Sequence, residues 1–193
     1  DPSGAWSAAH FEDLCVGEHC GGAGDEGRDV GVTGLMLLSF HGAGHSVASG
    51  SYKACVRKGL KFLLDQQDAE KGCFGRPEDQ PEFLLDHALA SLTLTEAYGL
   101  SKWPMLKEPA ERAIRFLKDA RNAGGAWGRT WPDLSGDDVL VTAFATQALC
   151  SAREFGLALD PAALDAARTF FTSIPDPTPG EAKVDAGSRG ELN

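Results

Sequence analysis

Apolar residues recur along this chain at helical spacing in six blocks. They predict helices over roughly 29–42, 51–67, 82–98, 104–121, 137–155 and 161–173. No block shows the period-two alternation of a strand. The blocks alternate in character. LMLLSF, LASLTL and VLVTAF carry no charge, whereas the blocks between them are amphipathic, with Arg57, Lys58 and Lys61 on one and Glu111, Arg112 and Arg115 on the next. That contrast predicts an inner row of buried helices and an outer row with one wet face. Pro104 and Pro161 fall at predicted helix starts, where a missing N–H costs little. Gly44, Gly99 and Gly156 follow the inner blocks and suit left-handed C-caps.

The blocks repeat at a spacing of about 54 residues. KGLKFLLDQQ, RAIRFLKDAR and AARTFFTSIP align so that Gly59, Ala113 and Ala167 share a column, as do Phe62, Phe116 and Phe170. A small residue beside bulky ones suits close helix packing. GCFG and GAWG follow the first two of these segments, and GAW at 4–6 reads as the same element. The inner blocks align to place Thr33, His87 and Thr142 in one column. DVGVT and DVLVT match almost letter for letter, which puts Asp29 opposite Asp138. Residues 7–28 read as a Cys- and Gly-rich insertion, and 175–193 as a polar tail that starts a further repeat. Such hairpins cannot bury their apolar faces singly, so neighbours must stack.

An outer helix, a Q-x-x-x-G-x-W/F turn and an apolar inner helix together resemble the prenyltransferase and squalene-oxidase repeat. Gln66-Gln67-Asp68 with Gly72, Phe74 and Gly75 is one copy, and Asn122 with Gly125 and Trp127 is another. The resemblance implies an all-α fold, the (α/α) toroid of terpene cyclases and protein prenyltransferase β subunits. It implies about twelve helices in a full ring. These six would be roughly half, completed by the rest of a longer chain or by a second copy.

The resemblance also points to candidate chemistry. Class II terpene cyclases protonate an alkene with an acid in a D-x-D-D motif at an inner-helix start. Here the stretch is Ser135-Gly136-Asp137-Asp138, so Ser135 replaces the first aspartate. Asp137 and Asp138 are candidates for that acid. Equally, Asp138 reads as a helix cap, because a carboxylate accepts orphan N–H groups and complements the helix dipole. Asp29 at the equivalent position argues for the cap. Protein prenyltransferases hold zinc with an Asp, a Cys two residues on and a distant His. Asp86 and His87 are candidates, but Ala88 stands where that Cys is needed. A lone His on an apolar helix also reads as a packed, hydrogen-bonded residue.

CVGEHC is the densest cluster of ligand types. Cys15, His19 and Cys20 are candidate zinc ligands, and Cys15 with Cys20 is a candidate disulfide, which would go with an exported or envelope protein. No cofactor other than such a zinc is expected. The thioester function of toroid relatives needs Cys followed three residues later by Gln, and no cysteine here has it. Ser-His-Asp and P-loop motifs are absent.

Composition narrows the partners. A net charge of −10 argues against nucleic acid and anionic lipid surfaces, which need clustered Lys and Arg. No apolar run approaches the roughly 20 residues of a membrane span. Aromatics make up 8% of the chain, and the inner blocks offer mainly Phe40, Phe83, Tyr98, Phe144 and Phe155. That is thin for a chamber that guides carbocations. The expectation is therefore a non-catalytic toroid module that binds an apolar small molecule or a protein partner. The alternatives are an isoprenoid-processing enzyme and a structural interaction module.

Overall fold

The computed structural model describes residues 2–9, 15–17, 21–22, 24–77, 80–158 and 162–174. Among them it is all-α. The helices are α1 (Asp29–Gly42), α2 (Lys53–Asp65), α3 (Phe83–Ser101), α4 (Pro104–Asp119), α5 (Val139–Glu154) and α6 (Ala162–Ser173), with a 3-10 turn at Glu26–Arg28. Two isolated bridges, Ala9 with Gly24 and Gln67 with Phe74, are the only strand-like pairings among the described residues. The polar tail from 175 on and residues 18–20 of CVGEHC lie outside the described residues.

The six helices form two layers. α3 packs along α1 on one side and α5 on the other, while α2 rests on α1, α4 on α3 and α5, and α6 on α5. Neighbouring inner helices run parallel and nearly in register. The Thr93 hydroxyl of α3 donates to the Gly34 carbonyl of α1 (2.9 Å), and the Ser151 hydroxyl of α5 donates to the Glu96 carboxylate of α3. α3, at the centre, has the most complete burial, with Phe83, Leu84, Ala88, Ala90 and Leu94 fully enclosed.

Each hairpin is fastened by the Gly-x-aromatic turn that precedes it. Trp6 N–H donates to Thr33 Oγ1 (2.9 Å), Phe74 N–H to His87 Nδ1 (3.3 Å) and Trp127 N–H to Thr142 Oγ1 (3.1 Å). The turn glycines press on the outer helices with the same regularity. A β-carbon on Gly4, Gly72 or Gly125 would stand 2.3, 2.7 and 2.4 Å from the carbonyl oxygens of Lys58, Arg112 and Ala166. All three have positive φ, so glycine is required for both conformation and space.

Two local expectations are corrected. α3 does not end at Gly99 but runs to Ser101, and the left-handed cap residue is Lys102 (φ 52°). Gly99 instead admits the Phe155 ring of α5, which would lie 2.2 Å from a β-carbon there. The Lys102 ammonium sits over the Tyr98 and Phe155 rings at 5.0 and 5.1 Å, which helps hold an unfavourable backbone. Asp29 does not cap α1, because the 3-10 turn runs straight into the helix. Its carboxylate accepts from Ala8 N–H (2.7 Å). Ala8 and Ala9 also meet Gly24 and Asp25, so the two ends of the 7–28 stretch close on each other.

Candidate functional site

The sequence candidates on α3 and α5 gather at one edge of the inner layer, where those helices begin. Asp138 is the N-cap of α5. Its Oδ1 accepts from Val141 N–H (2.9 Å), and its Oδ2 accepts from Arg129 Nε (2.6 Å). Arg129 also donates from Nη1 to Glu82 at the start of α3 (2.8 Å), and its carbonyl accepts from Leu84 N–H (2.9 Å). One arginine thus ties the entrances of two inner helices together. The Glu82 hydrogen bond, followed by the Asp138 bond, holds its proton more tightly than usual. Asp137 is exposed, and the Asn122 side-chain amide donates to it.

His87 is fully buried. Its Nδ1 accepts from Phe74 N–H, so the proton is assigned to Nε2, which faces the Ala113 carbonyl at 3.3 Å. Burial pushes its pKa down to about 3, and the ring is neutral at physiological pH. His87 does in the middle hairpin what Thr33 and Thr142 do in the others.

Asp86 lies one turn into α3 and is also fully buried. Arg28 Nη2 stands 3.1 Å from Oδ1, close enough for charge attraction but off the line of a hydrogen bond. Neither Asp86 oxygen has a hydrogen-bond donor among the described residues, and Arg28 Nη1 and Gln80 Oε1 nearby are unpartnered as well. Desolvation raises the Asp86 pKa to about 7, opposed by Arg28 and reinforced by Glu82 and Asp25. Gly31 of α1 makes room for this carboxyl, since a β-carbon there would meet Oδ1 at 1.9 Å.

The zinc of protein prenyltransferases does not fit this edge. Position 88 is alanine, and both His87 nitrogens already face protein partners. No group of three or more His, Cys, Asp or Glu side chains is placed to hold a metal among the described residues. His19 and Cys20 lie outside those residues, and with them the zinc and disulfide readings of Cys15, His19 and Cys20. The four described cysteines form no disulfide with one another.

A second feature crosses all three inner helices. A cleft of about 390 Å³ is lined by Leu38, His41 and Gly42 of α1, by Leu92, Glu96 and Leu100 of α3, and by Phe144 and Gln147 of α5. Leu35 and Leu140, on the same stripes as Leu38 and Phe144, are 50% and 42% exposed, and Leu100 is 51% exposed. The face is therefore apolar and open. At its margin stands His41, 8% exposed, with neither ring nitrogen bonded among the described residues. Desolvation lowers its pKa to about 4.

Sequence reasoning reached Asp86, His87, Asp137 and Asp138 through the resemblance. It missed Arg129, Glu82, Arg28, His41 and Glu96, whose partners are mostly far away in the chain. Among the described residues, no helix is long and apolar enough to cross a membrane. No family model, curated protein or solved structure matches the chain.

Proposed function

We propose that this chain is a non-catalytic toroid module of the terpenoid-cyclase and prenyltransferase type, whose inner helical layer binds an apolar ligand. The observation that carries this reading is the open face of α1, α3 and α5, with Leu35, Leu100 and Leu140 in solvent beside a leucine-lined cleft. Exposed apolar side chains beside a cleft are a feature of interaction sites, and a cleft of this size suits a small molecule. His41, Glu96 and Gln147 supply the few polar groups that would orient one. Phe144 is the one aromatic lining the cleft, whereas a carbocation needs several π-faces around it. Two layers of alternating helices, fastened at the repeat-equivalent positions Thr33, His87 and Thr142, support the toroid reading. Completion of the ring by further chain or a second copy belongs to the same proposal.

The test is equilibrium binding of farnesol and squalene to the purified chain, with prenyl diphosphates and squalene assayed for turnover. The expected result is saturable binding that Leu38→Asp and Phe144→Asp each weaken about tenfold or more, with no product. Binding unaffected by both substitutions would overturn the proposal.

A second reading, an isoprenoid-processing enzyme, is favoured by Asp86. A buried carboxyl lifted to about 7 is the kind of group that can donate a proton at neutral pH. Turnover of squalene that disappears in Asp86→Asn, with the fold retained, would install this reading in place of the first.

A further inference from the structure

The outer layer carries a cleft of another kind. It also measures about 390 Å³ and lies between α4, the turn after α2 and the loop that leads to α5. Its floor is aromatic. Phe116 is buried, with its ring centroid 5.2 Å from that of Trp131. Behind Phe116 stand His87 at 4.7 Å and Phe83 at 5.9 Å, both edge-on. Trp131 is only partly buried, so it presents ring surface to the cleft.

Three cations line the same space: Lys71 from the turn, and Arg112 and Arg115 from α4. Arg112 is fixed in place. Its Nη1 donates to Glu108 (2.8 Å) and its Nη2 to Gln67 (3.1 Å), while its Nε is buried without a partner. Lys71 and Arg115 make no side-chain ion pair or hydrogen bond among the described residues. In a chain with a net charge of −10, three cations gather on this one aromatic-floored cleft. Lys71 also feels the exposed Asp68 carboxylate, and Arg115 is the cation left without an acidic partner among the described residues. Two exposed carboxylates, Glu70 and Asp119, share the lining, yet neither comes within ion-pair distance of Lys71 or Arg115.

The walls are already held in position relative to each other. Gly72 abuts the Arg112 carbonyl, and the Gln67 side-chain amide donates to both the Gly72 and Pro109 carbonyls at 3.0 and 2.9 Å. A ligand would meet a preformed site and would not have to order a loop.

We propose that this cleft binds a small aryl monoanion, with its flat ring laid on Trp131 and its carboxylate gathered by Arg115 and Lys71. Guanidinium groups favour planar, two-oxygen anions. An aromatic floor favours a flat body over an aliphatic one. Glu70 and Asp119 on the same lining repel a polyanion, which favours a single charge. The site belongs to the outer layer and stands or falls apart from the apolar face of the inner one.

The test is a titration of the full chain with 2-naphthoate, followed by the NMR shifts of the tryptophan indole N–H groups. 2-Naphthalenemethanol, inorganic phosphate and ATP are run alongside. The expected result is saturation by naphthoate near about 1 mM, as the size of such a ligand allows. Arg115→Gln and Trp131→Leu should each weaken it about tenfold, with far-UV circular dichroism unchanged. Arg115 is exposed, so that variant reports on binding even if Trp131→Leu disturbs the fold. Equal binding of the neutral alcohol, tighter binding of phosphate or ATP, or full affinity in Arg115→Gln would each overturn the proposal.

Discussion

The starts of α3 and α5 each bury an aspartate, and the two carboxyls live under different conditions. Asp138 stands at the cap position, where a helix has N–H groups to spare, and it takes one of them together with the Arg129 side chain. Asp86 stands one turn further in, where the backbone donors are already used, and its arginine is misaligned. Both have a cation nearby. What separates them is directed hydrogen bonding, the only thing that replaces water around a buried carboxylate. A position four residues past the cap can therefore convert a structural acid into a chemically restless one.

The largest effect that would sharpen this contrast is pH-dependent. Asp86 has a folded pKa of about 7 against 3.8 for the ordinary group. Between those values the folded state holds a proton that the unfolded state has lost. Stability from this group therefore falls as pH rises from about 4 to 7, and the loss is complete above 7. Asp86→Asn removes that dependence. At pH 8 it should stabilise the chain by up to about 4 kcal/mol, with little difference at pH 4, as read from urea unfolding at both pH values. A variant destabilised at pH 8 would break the comparison, since it would mean that the Arg28 pairing outweighs desolvation.

Next in size is Asp138→Ala. It removes a cap and leaves the α3–α5 tie through Arg129 with one anchor. A loss of about 2–3 kcal/mol in the same unfolding assay is expected, limited because Arg129 can turn partly to water. The smallest effect belongs to Asp137→Ala, in the same stretch but exposed, which should change stability by less than about 0.5 kcal/mol. If Asp137 proved as costly as Asp138, the cap assignment would be wrong.

Much of this arrangement was legible in the chain. The inner and outer characters of the helices followed from charge alone, because an uncharged helix must be covered. The column of Thr33, His87 and Thr142 was visible as an alignment, though its purpose, receiving the turn's N–H, needed coordinates. Asp138 was readable as a cap because capping is local. Asp29 was misread for a non-local reason: Ala8, across the 7–28 stretch, takes its carboxylate. Gly99 was misread because Phe155, 56 positions later, needs the space. Arg129 gave no signal, since its value lies in reaching Glu82 and Asp138 at once. The apolar cleft was foreshadowed by the inner leucines, but its opening to solvent depends on which stripe the outer helices leave bare.

The turns carry one more consequence, for the order in which the chain can become solid. Gly4, Gly72 and Gly125 each seat on a helix further downstream, at Lys58, Arg112 and Ala166. A ribosome releases the chain from its N-terminus. Each turn is therefore born before the surface that receives it, and no hairpin can latch until its last helix has emerged. The molecule closes like a row of clasps, each waiting for cloth not yet woven.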